Sequence, residues 1–356
     1  MSDNVIRVGI AGQGYSGFLI HARWLREAPG LYQIAAAADE LPERRAEAVR
    51  NFGCKVYRDY RDMLKAGGFD LFVNSLPTHL HPQGAIDALN AAYHVVCEKP
   101  LAVKVKDFDA MVAASKKARK VFAPFQNARF FPYFQKIEEV IASGIFGKIV
   151  NIRISWSKFG RRWDWQVKQK YWGGNLNDTA PHPLDHALML MGARKPKVFS
   201  VLTHEVGSLG DADDFSSVVL TEKCKPYTEI FVSHYEAYQK GNYTNVNGEF
   251  GGLTGGMSGI QWKWYDPKKA PKQRLHTGWS HNREFPDETL PWQEDSWTPP
   301  NTGLDAFNEM SKPYYENIHD VIRGKGRLIV THEQVRRLVA VLEEVHRQNP
   351  LPRWAK

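Results

Sequence analysis

The chain has 356 residues, 43% hydrophobic and 24% charged. That length and composition suit about two globular domains with ordinary cores. The net charge is +8, but Lys and Arg are interspersed with acids along most of the chain, which argues against nucleic acid and suits an anionic cofactor.

No apolar run approaches the roughly 18 residues that cross a bilayer, and no apolar leader is visible. Cys54, Cys97 and Cys224 are too scattered for a disulfide framework or a thiolate metal site. A cytoplasmic protein without membrane contact is the expectation.

Over the first 125 residues, short apolar runs alternate with amphipathic stretches. Strands are predicted at 5–11, 32–38, 55–57, 71–75, 94–97 and 121–124, with helices at 18–28, 42–52, 60–66, 82–91 and 105–119. This alternation builds right-handed βαβ units and a doubly wound parallel sheet, whose ligands lie beyond the carboxyl ends of the strands.

From residue 126 the pattern changes. After a helix at 132–143 come half-buried strands at 149–157, 198–204, 214–220 and 228–234, with a helix at 184–191. Strands in succession predict an α+β domain with a mostly antiparallel sheet. The stretch 235–301, rich in Gly, Pro and Trp, reads as an irregular insertion. Amphipathic helices at 305–323 and 331–347 follow, the second capped by Thr331 with Gln334 three residues on. The expected domains are 1–125 and 126–356.

Gly12-Gln13-Gly14-Tyr15-Ser16-Gly17 fits G-x-G-x-x-G after the first strand and before a helix, the context of a dinucleotide site. The first glycine permits a tight turn, the second a close approach of pyrophosphate, and the third close helix–strand packing. Asp39 ends the second strand, where a carboxylate binds ribose hydroxyls and repels a 2′-phosphate, so NAD is favoured over NADP. Arg44 and Arg45 are either exposed helix residues or a partial compensation for that repulsion, and Arg44 is counted with the cofactor. The same crevice takes Ser75, Leu76, Pro77, Thr78 and His81 after the fourth strand, Glu98 and Lys99 after the fifth, and Gln126 after the sixth.

The segments GIAGQGYSG, AAAAD, NSLPTHLH and CEKPLA, with Gln126–Phe130 and Gly173–His186, closely resemble the glucose–fructose oxidoreductase / inositol dehydrogenase family, Gfo/Idh/MocA. The resemblance implies a Rossmann domain and a second domain with an open, mostly antiparallel sheet. The sheet's open face would carry subunit contacts, in a dimer or tetramer, and the substrate would bind between the domains. It further implies hydride exchange with a carbinol of a sugar, glycoside, cyclitol or related polyol. The family's usual Asp-x-Gly-x-His has Ala180 in place of the glycine here, with prolines flanking His182. Asp-Thr-Ala-Pro-His-Pro is similar to a subgroup that includes glycoside 3-oxidoreductases.

Such chemistry needs a base for the hydroxyl proton and a group that holds the oxygen. His182 is the candidate acid/base, Asp178 the group that orients its ring, and Lys99 the cation on the substrate oxygen, roles that the matching residues fill in the family. His182, Asp185 and His186 also mimic helical ligand spacing, but hydride transfer needs no metal and none is expected. Arg129, Arg162, Trp163, Trp165 and Tyr171 complete the expected substrate set, since flat aromatic faces stack on sugar C–H faces. An enzyme that recycles a tightly held cofactor and a non-catalytic NAD-binding regulator stay open as alternatives.

Overall fold

A computed structural model describes residues 4–205, 207–238, 243–275, 277–279, 287–301 and 304–352, without the side chains of 304–308. The first sheet contains β1 (Ile6–Ala11), β2 (Tyr32–Ala38), β3 (Lys55–Tyr57), β4 (Leu71–Asn74), β5 (His94–Cys97) and β6 (Phe122–Pro124). All pairs are parallel, in the order β3-β2-β1-β4-β5-β6. Strand β1 is covered on both faces: Ile6, Val8, Ile10 and Ala11 are buried. Strand order reverses between β1 and β4, which opens a crevice at their carboxyl ends.

The first helix departs from the continuous one predicted at 18–28. Wide π-type turns run over Tyr15–Ala22, and an α-helix follows at Arg23–Glu27. Such turns recur at functional sites. Here they carry His21 into the interior, where Nε2 meets Glu98 at 3.1 Å and Nδ1 meets the Tyr315 hydroxyl at 2.6 Å.

The second sheet has eight strands. Strand β7 (Ile149–Ser155) pairs in parallel with β10 (Tyr227–Ser233), while β8 (Lys197–Thr203) and β9 (Phe215–Thr221) extend it in antiparallel fashion. The stretch expected to be an irregular insertion contains strands that the sequence pattern does not phase. Strands β11 (Tyr243–Gly248), β12 (Gly251–Gly256), β13 (Gly259–Trp264) and β14 (Gln293–Trp297) continue the antiparallel sheet from β7 outward. Glycine hides β12, because it is poor in strands and carries no alternating side chains. Its purpose is close approach: a Cβ on Gly251 would lie 2.2 Å from the Lys263 carbonyl oxygen. Positions 239–242, 276 and 280–286 of that stretch lie outside the described residues.

The helix Pro181–Met191 begins three residues earlier than predicted, so His182 sits in its first turn. The helix Leu304–Ile322 returns to the first sheet's layer, where Tyr315 stacks on Trp24 at 4.9 Å and accepts at its carbonyl a bond from the Tyr32 hydroxyl. Among the described residues, no helix is long and apolar enough to cross a membrane.

Candidate active site

The glycine loop shows why Gly12 and Gly17 are needed. Gly12 has φ +87°, and a Cβ there would lie 2.2 Å from the Ser75 carbonyl oxygen. A Cβ on Gly17 would lie 1.8 Å from the Gly12 carbonyl oxygen. Gly14 differs: a Cβ there would meet only the Arg44 guanidinium, at 3.7 Å, so this side of the loop is open to a ligand. The Ser75 hydroxyl donates to the carbonyls of Ala11 and Gly12, tying the β4 end to the loop.

Asp39 stands beside it, one carboxylate oxygen accepting from the Gln13 N–H at 2.8 Å and the other from Leu41 N–H at 2.9 Å. Arg44 approaches Asp39 at 3.4 Å. Tyr15 is exposed, Ser16 and Leu76 are half-buried, Pro77 is exposed, and Thr78 is buried. Gln126 has unmet hydrogen-bonding capacity at both atoms of its amide. Both amide atoms are buried without a partner, a donor and an acceptor that a dinucleotide or substrate would satisfy. An open backbone cradle, a fixed ribose-type acceptor and this free amide together fit a nicotinamide dinucleotide.

Four of the expected contact residues carry bonds to other parts of the protein. His81 is buried, with its nitrogens 2.9 Å from the Pro100 and 2.8 Å from the Leu76 carbonyl oxygens, so it braces two loops. The Gln13 side chain turns inward to donate to Ile10, which leaves only its backbone toward the crevice. Glu98 is buried against His21 and the Lys99 N–H. Burial alone would raise its pKa, yet the His21 bond and nearby Lys99 hold it at about 2. Arg129 is buried in a bidentate pair with Asp185 at 2.6 Å, with a third bond to Gln334. Nε and both terminal nitrogens thus each donate within the chain.

The catalytic candidates converge. Lys99, which follows β5 and precedes Pro100 across a cis peptide bond, donates from Nζ to the Asp178 carbonyl oxygen at 2.6 Å and lies 3.3 Å from its Oδ1. Arg162 donates to the other Asp178 oxygen, to Asp164 and to Gln166, while Gln166 donates to Asp178 Oδ1 at 3.0 Å. Burial would raise the Asp178 pKa, but Lys99 and Arg162 keep the group well below the usual carboxylate range.

This geometry bears on two roles. Arg162 is engaged in fixing Asp178. Asp178 spends its oxygens on Lys99, Arg162 and Gln166, so it does not orient His182. His182 keeps a buried Nδ1 without a partner and stacks on Trp156. Burial first, and then the Lys99 charge, lower its pKa to about 3, so the ring is neutral near pH 7.

At the lip, Trp163 is 74% and Trp165 41% exposed, and Trp165 packs edge-on against Tyr171. Tyr171 in turn meets His79, whose ring lies 5.2 Å away. His79 is not assigned from sequence, where its one signal is its place beside Thr78 in a strand-end loop. Trp156 and Gln166 carry no signal at all, being an indole at a strand's end and a glutamine in a loop. The metal-like trio of His182, Asp185 and His186 is dispersed, since Asp185 pairs with Arg129 and His186 bonds the Ala128 carbonyl.

Residues 6–125 match the family model described as the oxidoreductase family, NAD-binding Rossmann fold, and residues 134–254 match the Gfo/Idh/MocA C-terminal domain. The chain belongs to the Gfo/Idh/MocA family. It is 29% identical over 213 residues to myo-inositol 2-dehydrogenase of Thermotoga maritima, covering 58% of this chain and 63% of that one. It is 29% identical over 216 residues to D-glucoside 3-dehydrogenase of Escherichia coli, covering 59% and 60%. The alignments thus span less than two thirds of these family members. The WlbA dehydrogenase from Bordetella pertussis, solved with NADH and UDP-GlcNAcA, superposes with a TM-score of 0.77 over 98% of this chain and 96% of that one, at 22% identity, and so shares the fold.

Proposed function

We propose that this chain is an NAD(H)-dependent oxidoreductase acting on a secondary hydroxyl, or the corresponding ketone, of a sugar, glycoside or cyclitol. The observation that carries the reading is the convergence of Lys99, Asp178 and His182 at the sheet end that also holds the glycine loop. In this reading, residues 1–125 hold the cofactor and 126–356 the substrate.

Gly12, Gly14, Gly17, Asp39, Ser75, Thr78 and Gln126 would hold the dinucleotide. Asp39 favours NAD over NADP because its carboxylate accepts from ribose hydroxyls and repels a 2′-phosphate. A bound nicotinamide supplies the electron sink, so that the carbinol C–H leaves as hydride, the O–H proton passes to His182, and a ketone results.

His182 acts through Nε2, since Nδ1 is buried. Its neutral ring is ready to take a proton. Lys99 binds the reacting oxygen and stabilises the alkoxide charge as it develops. Asp178 clamps Lys99 and keeps the ammonium in place, and Arg162 with Gln166 fixes Asp178. Trp163, Trp165 and Tyr171 offer flat faces to a sugar ring. Ala180 between Asp178 and His182, together with the D-glucoside 3-dehydrogenase relative, supports a glycoside oxidised at C3.

A homo-oligomer through the second sheet belongs to the same proposal, supported by exposed Val150, Phe199, Val201 and Tyr227 on its strands. Unpaired cysteines support a cytoplasmic setting.

The test is a panel of myo-inositol, D-glucose, levoglucosan and methyl β-D-glucoside, offered with NAD and with NADP while the reduced-cofactor absorbance is followed. Turnover of at least one with an NAD preference is expected. No turnover of any, in either direction, contradicts the proposal.

A further inference from the structure

His182 becomes positively charged on taking a proton, yet among the described residues no carboxylate is bonded to it. The Asp178 oxygens go to Lys99, Arg162 and Gln166, and those of Glu98 go to His21 and the Lys99 N–H. Asp185 is closed off by Arg129. The charged groups around the ring are Lys99, which opposes a second cation, Glu98 and Asp178, which favour one at a distance, and His186 on the same helix.

What lies directly against the ring is Trp156. The two ring centroids are 5.4 Å apart and the planes 29° from parallel. Trp156 is 8% exposed and is wedged edge-on by His186 at 5.8 Å and by Phe131 at 6.3 Å, so its face cannot swing away. An indole face is the strongest aromatic partner for a cation, within about 6 Å of the ring centroid.

We propose that Trp156 is a positioning residue whose indole face holds the His182 ring and stabilises the imidazolium formed during proton transfer. The role rests on His182 being the base. The indole does here what a carboxylate does in a His–Asp pair, but without a hydrogen bond that would fix the tautomer. It also explains why the Asp178 oxygens can be given to Lys99, Arg162 and Gln166.

Site-specific placement of mono-, di- and trifluorotryptophan at position 156 tests this, because fluorine withdraws electron density from the ring while leaving its shape nearly unchanged. In NAD-loaded protein oxidising methyl β-D-glucoside, kcat should fall stepwise with fluorine number, to a total of about 3- to 30-fold. In nitrogen-labelled histidine NMR, which needs no substrate, the His182 ring-nitrogen shifts should move in the same order. Trp156→Phe should retain part of both effects, and Trp156→Leu should lose them.

A flat series in both readouts overturns the proposal and reduces Trp156 to packing. His182→Gln separates the two claims. Wild-type turnover in that variant removes the base assignment, whereas an inactive variant alongside a flat fluorine series removes only the role of Trp156.

Discussion

Lys99 Nζ is anchored twice by one residue, donating to the Asp178 backbone carbonyl at 2.6 Å and pairing with its carboxylate at 3.3 Å. The ammonium is therefore positioned by a short helix that follows the first sheet in the chain, Asn175–Asp178. Lys99→Met should lower kcat by about 100- to 1000-fold through loss of oxyanion stabilisation. Binding of NAD, measured by calorimetry, should change little. Near-normal kcat in the Lys99→Met variant would remove Lys99 from the chemistry.

Arg162 reaches Asp178, Asp164 and Gln166 at once. Lysine cannot reproduce that planar fork. Arg162→Lys should lower kcat about 10- to 100-fold by letting Asp178 and Lys99 drift, with a smaller change in KM. A selective rise in KM would instead return Arg162 to the substrate contacts.

Asp39 sits between the glycine loop and Arg44. Asp39→Ser keeps an acceptor for Gln13 but removes the negative charge. Affinity for NAD should fall about 10- to 100-fold, and use of NADP should rise as Arg44 becomes free to meet a 2′-phosphate. Steady-state comparison of the two cofactors reads both changes.

The Arg129–Asp185 pair is 3% exposed on each side. Removing one partner strands a buried charge, so Arg129→Met should cost about 3 to 5 kcal/mol in chemical denaturation. Arg129→Met combined with Asp185→Leu should recover part of that loss.

Asp213 is buried and accepts the Leu176 N–H at 2.7 Å. Burial raises its pKa from 3.8 to about 7. A carboxyl raised in the folded state contributes fully below the unfolded value, and that contribution is lost as pH rises through the folded one. Stability should therefore decline between about pH 4 and pH 7 from this group. Asp213→Asn, which retains an acceptor, should be more stable relative to the wild type at pH 8 than at pH 5, as read by denaturation at both values.

The parallel sheet is legible because its strands are short apolar runs closed by glycine or polar residues, as in Val5–Ala11. The crevice follows from strand-end geometry alone, which places the glycine loop, Asp39 and the Glu-Lys-Pro loop together. What a sequence does not carry is which way a polar side chain turns. Arg129 and Arg162 are the same residue type in loops, and both are expected at the substrate, but tertiary partners claim each. Strand β12 escapes because Gly-Gly-Leu-Thr-Gly-Gly has only one buried side chain, Leu253, to signal a face. The Trp156–His182 stack joins residues from two separate elements with no motif between them.

The central claim is that His182 takes the substrate proton at a nicotinamide site. The most direct measurement is reduced-cofactor formation by wild type and His182→Gln with the best sugar or glycoside of the panel, beside equilibrium NAD binding for both. The account predicts unchanged NAD affinity with turnover lowered about 100- to 10,000-fold. Equal turnover in the two proteins would contradict it.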